Sequence, residues 1–320
     1  MVKVISSPIQ VRVRARTDET SEIMLVTLEP VNGVLPAVEA GAHIDIEVAP
    51  DCIRQYSLCQ EIGEDDVYRL GILRASNSRG GSIAAFDQMR VGKEVRVGAP
   101  RNNFALKDCA GSTHLYAGGI GITPLLPMAE ALRAQGRTFK LHYATRSRDR
   151  TPFLARLSRP GLKSNTSIYH DDAVGAPRFD AADIPSFEEA SQIYICGPSG
   201  FIDSVRSAAV QRGWPLASIH IEKFQNDVDW SGDRFTVVAA RSGLSVEVAE
   251  GETIAEKLLD AGVDVPLSCE EGICGACLTA VLEGQPDHRD AFQTEAEKHD
   301  GTHMTLCCSR SRTPIIVVDI

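Results

Sequence analysis

Short runs rich in Val, Ile and Thr recur through the first hundred residues, separated by polar turn residues. They are Ile9–Arg16, Ile23–Glu29, His43–Val48, Val67–Leu73 and Glu94–Val97. Runs of this length at regular spacing predict a small antiparallel β-barrel. One short helix, from Ser82 to about Met89, interrupts it. The pattern changes near Ser112. Apolar strands at 113–117, 139–144, 167–170 and 192–196 now alternate with helices through Arg133, near Phe153–Leu157 and at 199–212. Such alternation predicts a parallel α/β sheet. Residues 225–234 (QNDVDWSGDR) are polar and turn-rich and read as a linker. Beyond them, FTVVAAR and LSVEVAE form a hairpin around Ser242-Gly243. A helix at Thr253–Ala261 and a closing strand at Pro314–Asp319 complete a small α+β domain. The expected organisation is therefore multidomain, with boundaries at 1–110, 111–226 and 227–320.

A chain of 320 residues, 43% hydrophobic and 24% charged, is ordinary for a globular protein with two or three cores. No apolar run reaches about 18 residues, so no membrane span is expected. The N-terminal stretch MVKVISSPIQVRVRAR lacks the apolar block and cleavage site of a secretory signal. Nine cysteines without such a signal point to the reducing cytoplasm and to a metal site, not to disulfides. The net charge of −10 is unevenly spread: residues 233–320 carry −9 of it. An acidic surface keeps a domain soluble, and it also steers a basic partner. No basic patch speaks for nucleic acid.

The most specific pattern is Cys269, Cys274 and Cys277, spaced C-x4-C-x2-C, with Cys307 following 30 positions later. Four thiolates at this spacing suit a plant-type [2Fe-2S] cluster. Gly272, Gly275 and Ala276 let backbone N–H groups approach the sulfurs. Four cysteines also suit zinc, although zinc sites usually pair two C-x2-C units. Two glycine turns elsewhere feed helices. Ser76-Asn77-Ser78-Arg79-Gly80-Gly81-Ser82 presents a helix N-terminus to a phosphate, with Ser82 as N-cap. Ala117-Gly118-Gly119-Ile120-Gly121-Ile122-Thr123-Pro124 permits close approach of a pyrophosphate, with Thr123 as N-cap and Pro124 at the first helical position.

Arg54-Gln55-Tyr56-Ser57-Leu58 resembles the R-x-Y-S-L flavin signature of the ferredoxin–NADP reductase superfamily. SNSRGGS is similar to the phosphate loop of its FMN-binding reductases of the phthalate dioxygenase reductase type. The stretch from Gly118 resembles that superfamily's G-G-x-G-x-T-P nucleotide loop, and Cys196-Gly197-Pro198 its C-G-P turn. Cys307-Cys308-Ser309-Arg310-Ser311 resembles C-V-S-R-A. The likeness covers essentially the whole chain. It implies an FMN-binding antiparallel β-barrel (1–110), an NAD-binding α/β parallel-sheet domain (111–226) and a β-grasp-like plant-type ferredoxin domain (227–320).

For the residues, the resemblance implies that Arg54 pairs with the flavin phosphate and Tyr56 lies on the isoalloxazine. Ser57 sits near flavin N5, as a catalytic residue with Cys196, which faces the nicotinamide. Gln55, Gly71, Ile72, Leu73, Gly80, Gly81, Ser82 and Phe224 complete the flavin contacts. Gly118, Gly119, Gly121, Thr123, Gly197 and Pro198 hold the nucleotide, with Arg146 near its adenosine ribose. Cys269, Cys274, Cys277 and Cys307 are the metal ligands. Adjacent residues on an extended segment point opposite ways, so Cys308 is expected to face away from the irons. Asp287-His288-Arg289-Asp290 is expected to form a network that fixes a loop.

The function implied is the NADH-dependent reductase component of a two-component Rieske aromatic oxygenase or demethylase. It passes electrons from NADH through FMN and [2Fe-2S] to the oxygenase. FAD in place of FMN stays open, as do a carnitine- or amine-type Rieske monooxygenase, a diaphorase role and a non-catalytic iron–sulfur or zinc redox-sensing module.

Overall fold

Residues two apart along a strand face the same way, and pairs such as Val11 and Val13, Val26 and Leu28, and Ile44 and Ile46 are all buried together. They line the inside of a six-stranded antiparallel sheet in the computed structural model, which describes Ile5 and residues 7–49, 52–74, 81–172, 178–226 and 228–320. Its elements are β1 (Ile9–Asp18), β2 (Ile23–Pro30), β3 (His43–Ala49), β4 (Cys52–Ser57), β5 (Tyr68–Leu73), α1 (Gly81–Gln88) and β6 (Glu94–Val97). The order is β4-β3-β6-β1-β2-β5, and the edges meet where Leu58 bridges to Leu70. The sheet is thus a nearly closed barrel, with α1 packed against β3, β4 and β5. One expectation needs correcting. Helix α1 begins at Gly81, so Ser82 lies inside the first turn and is not the N-cap. Gly80 and Ser76–Arg79 fall outside the described residues.

The second sheet comprises β7 (Thr113–Gly118), β8 (Phe139–Thr145), β9 (Thr166–His170), β10 (Gln192–Cys196) and β11 (Ile219–Glu222), with α2 (Ile122–Ala134), α3 (Leu154–Leu157) and α4 (Ser199–Gln211) between them. All five strands are parallel, in the order β11-β10-β7-β8-β9. Leu115 and Ala117 pack with Leu125 and Leu126 of α2 on one face. Tyr116, between them in sequence, packs with Ile202 and Val205 of α4 on the other. Strand order reverses between β7 and β10, and ligands of open α/β sheets gather at the carboxyl ends beside such a reversal. Thr123 is not the N-cap expected of it. A 3-10 turn, Gly119–Gly121, runs straight into α2, whose cap is Gly121. The Thr123 hydroxyl instead donates to the Ile120 carbonyl at 3.0 Å.

These two sheets form one compact unit, ending at Phe224; a second begins at Gln225. The second unit holds β12 (Phe235–Ala239), β13 (Leu244–Val248), α5 (Ile254–Asp260), β14 (Leu278–Glu283), β15 (Pro286–Asp287), α6 (Glu295–Asp300), β16 (His303–Thr305), β17 (Arg310–Ser311) and β18 (Ile315–Val318). Five strands pair in the order β13-β12-β18-β14-β16, with β12 and β18 parallel. Ile254, Ala255 and Leu258 of α5 recur at helical spacing and are buried in this core. Thr253 and Glu256 close α5 with reciprocal side-chain-to-backbone bonds. No helix among the described residues is long and apolar enough to cross a membrane.

Candidate functional site

At the reversal in the parallel sheet, two glycine turns come into contact. A Cβ on Gly121 would lie 2.3 Å from the Cys196 carbonyl oxygen, and one on Gly118 would lie 2.9 Å from Pro198 Cδ. A Cβ on Gly197 would stand 3.0 Å from Gly118 Cα. Contacts under 3.0 Å against backbone do not occur, so the close approach of Gly121 to Cys196 requires glycine. Gly118, Gly119, Gly121, Thr123, Cys196, Gly197 and Pro198 are therefore brought together. Cys196 is wholly buried, and its thiol is pushed up first by that burial and then by Glu222.

Glu222 escaped the sequence reading. It closes β11 directly opposite Cys196 in the parallel ladder. Burial pushes its carboxyl up to about 8. Although the residue as a whole is half-buried, its Oε2 is sealed from solvent without a hydrogen-bond partner. An orphaned oxygen of this kind costs free energy unless something supplies a donor or the group stays protonated. The sequence His220-Ile221-Glu222 shows a carboxylate at a strand end, but what lies opposite it is set by the β10–β11 register. Phe224, two residues on, packs against the core that contains Cys196. Arg146 lies apart, exposed beyond the end of β8, with its carbonyl accepting the Asp172 N–H at 3.1 Å.

On β4, Arg54 and Tyr56 project from one face and Gln55 and Ser57 from the other. Arg54 Nη1 donates to the Ile53 carbonyl at 2.7 Å, and burial raises the Tyr56 phenol. Gln55 donates to Asp45 Oδ1 at 2.9 Å; Arg101 grips the same carboxylate with two bonds of 2.8 and 2.9 Å. Ser57 is buried opposite His43. On β5, the Ile72 side chain is spent on the barrel core, and Ile72 pairs with Met24 of β2. Leu73 is half-buried. A Cβ on Gly71 would meet Thr123 Cγ2 at 2.6 Å and the Phe153 ring at 3.2 Å, so this barrel strand abuts the Gly119–Thr123 turn directly. Arg54 and Tyr56 thus share a face of β4 on a barrel whose β5 abuts the nucleotide turn, an arrangement that fits a flavin placed between phosphate and nicotinamide.

In the second unit the four predicted thiols are contiguous. Cys269 interacts with Cys274 and Cys307, and Cys307 with Cys277 and Cys308. No three of the described His, Cys, Asp and Glu side chains converge on a single ion. Four neighbouring thiols are the ligand set of a two-iron cluster. Backbone N–H groups of Glu271 and Ile273 donate to Cys269 Sγ, and that of Ala276 to Cys274 Sγ, each at 3.4 Å. Such donors stabilise thiolate charge. Gly272 has φ +70°, and a Cβ there would stand 2.3 Å from Cys308 Sγ.

That last contact corrects an expectation. Cys307 and Cys308 lie in a turn, not on an extended segment. Cys308 does not face away: its buried sulfur adjoins the cluster loop. Asp287–Asp290 forms the expected network. Arg289 binds the Asp287 carboxylate at 2.7 Å and the carbonyls of Asp229 and Ser231. Asp290 Oδ2 accepts the N–H groups of Phe292 (3.1 Å) and Gln293 (2.7 Å), while Ala291 N–H reaches the Gly272 carbonyl at 2.9 Å.

Comparison with known proteins agrees with this geometry. The family profile of the 2Fe-2S iron-sulfur cluster binding domain matches residues 237–312. The chain is 40% identical over 302 residues to a vanillate O-demethylase oxidoreductase of Pseudomonas sp. (strain HR199 / DSM 7063), covering 92% of this chain and 95% of that one. It is 40% identical over 298 residues to a phthalate dioxygenase reductase of Burkholderia cepacia, covering 91% of each. A solved phthalate dioxygenase reductase, described as a modular structure for electron transfer from pyridine nucleotides to [2Fe-2S], superposes with a TM-score of 0.76 at 37% identity, over 98% of both chains.

Proposed function

Because the chain belongs to the family of the vanillate O-demethylase oxidoreductases and phthalate dioxygenase reductase, we propose that it is the NADH-dependent reductase of a two-component system whose oxygenase carries a Rieske centre. It is an oxidoreductase that carries electrons from a pyridine nucleotide to an iron–sulfur cluster. When bound, FMN takes an electron pair as hydride and releases it singly, and [2Fe-2S] passes one electron at a time outward.

The chain's own residues provide the positions. Arg54 and the N-terminus of α1 hold the flavin phosphate, Tyr56 covers a ring face and Ser57 leaves room for hydride. Gln55, Gly71, Ile72 and Leu73 border the flavin, with Phe224 closing its other side. Gly118, Gly119, Gly121, Thr123, Gly197 and Pro198 admit the nicotinamide nucleotide, and Arg146 reaches its ribose end. Cys196, neutral and buried, packs on the nicotinamide. Glu222, kept protonated by its surroundings, offers a hydrogen bond to the carboxamide. Cys269, Cys274, Cys277 and Cys307 hold the irons. The excess negative charge after Asp233 suits a basic face on the oxygenase. Nine free cysteines suit the cytoplasm.

The observation that carries this reading is the pairing, in one chain, of a four-thiol loop supplied with N–H donors and a sheet reversal where two glycine turns touch. NADH-driven reduction of cytochrome c tests it, comparing the native protein with Cys274→Ser. The variant keeps its NADH–ferricyanide activity and loses most delivery to cytochrome c. Equal cytochrome c rates would remove the cluster from the route.

A further inference from the structure

The barrel and the parallel sheet are joined at α3 by hydrogen bonds whose donors are unambiguous. Arg156 Nε and Nη2 grip the two carboxylate oxygens of Glu130 at 3.1 and 2.7 Å, and Nη1 donates to the Cys59 carbonyl at 2.6 Å. Arg156 is 6% exposed and Glu130 5%, so water does not compete for either group. Beside them, the Phe153 N–H donates to Glu19 Oε2 at 2.8 Å, in the turn between β1 and β2. The Phe153 ring lies 3.2 Å from where a Cβ on Gly71 would stand. Phe153 has φ +61° and ψ +21°. A bulky residue stays in that left-handed region only where its surroundings over-determine it.

Each partner of Arg156 belongs to an element that borders the site. Glu130 is on α2, the helix into which the Gly119–Gly121 turn runs. Cys59 follows Ser57 by two residues; its N–H is fixed on the Arg69 carbonyl of β5 at 2.8 Å, and its side chain packs in the core of the parallel sheet. One guanidinium therefore ties the chain leaving the Arg54–Leu58 stretch to the helix that starts at the nucleotide turn. A planar fork holds a carboxylate and a carbonyl at once; a lysine ammonium has no such fixed geometry.

We propose that Arg156 and Glu130 are positioning residues for hydride transfer: they lock the flavin-bearing strand of the barrel to α2 and so fix the approach of nicotinamide to flavin. Neither touches substrate or cofactor in this scheme. The inference rests on the flavin and nucleotide sites assigned above. Reaction rate is sensitive to small errors in the placing of reacting atoms, wherever the error originates. A link that merely held the fold together would be replaced by any pair of equal stability. A link that sets an approach would not be replaced by apolar packing, because apolar side chains cannot bind the Cys59 carbonyl.

Stopped-flow reduction of the flavin by NADH in the whole protein tests this, with FMN per chain, denaturant midpoint and amide hydrogen exchange measured in parallel. Arg156→Lys keeps the charge and loses the fork. It retains full FMN, and its limiting rate of flavin reduction falls by about 10–100-fold, while the NADH concentration for half-maximal rate is unchanged. Exchange speeds up at Gly71 and Gly121 and stays native at Ile193 and Ile195 inside the parallel sheet. Arg156→Met combined with Glu130→Leu replaces the buried pair by apolar packing, a change that is often neutral for stability. This double variant has a native denaturant midpoint and is still slow. A native limiting rate in Arg156→Lys or in the double variant, at full FMN, overturns the proposal. So does a rate that tracks the denaturant midpoint across the variants, the mark of a purely structural role. A native protein that takes up no flavin, or whose flavin NADH fails to reduce, defeats the functional reading itself, and the proposal with it.

Discussion

The sheet reversal in the first unit and the thiol loop in the second solve opposite problems. At the reversal, Gly118, Gly121 and Gly197 contribute by lacking side chains, and selectivity comes from what they allow to approach. In the loop, four side chains do the binding, and the backbone serves them through N–H groups from Glu271, Ile273 and Ala276. One site is assembled from strands far apart in sequence, ending at Gly118, Cys196 and Glu222. The other takes three of its four donors from nine consecutive residues. A dispersed site depends on tertiary packing for its shape, whereas a local one depends on loop conformation.

Mirrored glycine substitutions sharpen that contrast. Gly121→Ala forces a Cβ to within 2.3 Å of the Cys196 carbonyl, so backbone must move. NADH–ferricyanide turnover falls by about 100-fold, the scale of an ångström-size misplacement, while iron per chain stays native. Steady-state kinetics with iron analysis check this; unchanged turnover would mean that the two turns do not form one site.

Gly272→Ala acts in the reverse sense. Its φ of +70° and the 2.3 Å approach to Cys308 Sγ both oppose a side chain. Iron affinity drops by about 10–100-fold, as for loss of supporting contacts at a metal site, and NADH–ferricyanide turnover is spared. Parallel loss of both activities would contradict the separation of the sites.

Glu222 is tested through stability instead of turnover. Its carboxyl is raised from 4.5 to about 8 in the folded protein. The folded state therefore holds a proton that the unfolded chain releases above about pH 4.5. Stability is greatest below that pH and declines as pH rises toward 8, by at most about 1.4 kcal/mol per pH unit. Glu222→Gln flattens this decline and gains relative stability at pH 8.5. Denaturant titrations at pH 6 and 8.5 check it; an identical slope in the variant would place the titrating group elsewhere.

What was legible in the sequence follows the same division. Cys269, Cys274 and Cys277 were found by spacing alone, because local ligands leave a local pattern. The strands at 94–97 and 192–196 were likewise placed to the residue, since their composition and flanking turns agree. Glu222 was missed because only the register of β10 against β11 brings it opposite Cys196. Thr123 and Ser82 look like caps in sequence, but each glycine before them already conforms to the helix. For Cys308 the period-two argument did not apply, because residues 306–308 form a turn.

Residues 225–234 looked like a tether and behave otherwise. The Asn226 carboxamide donates to the carbonyls of Glu271 and Arg289, at 2.9 and 2.8 Å. Arg289 in turn spends its guanidinium on Asp229 and Ser231, and Arg310 spends its own on Asp233, at 3.0 Å. For anyone trimming this protein to its iron-bearing portion, the scissors belong ahead of Gln225. A cut at Arg234, where the polar run ends, would take from Arg289 the carbonyls of Asp229 and Ser231 and from Arg310 those of Gly232 and Asp233.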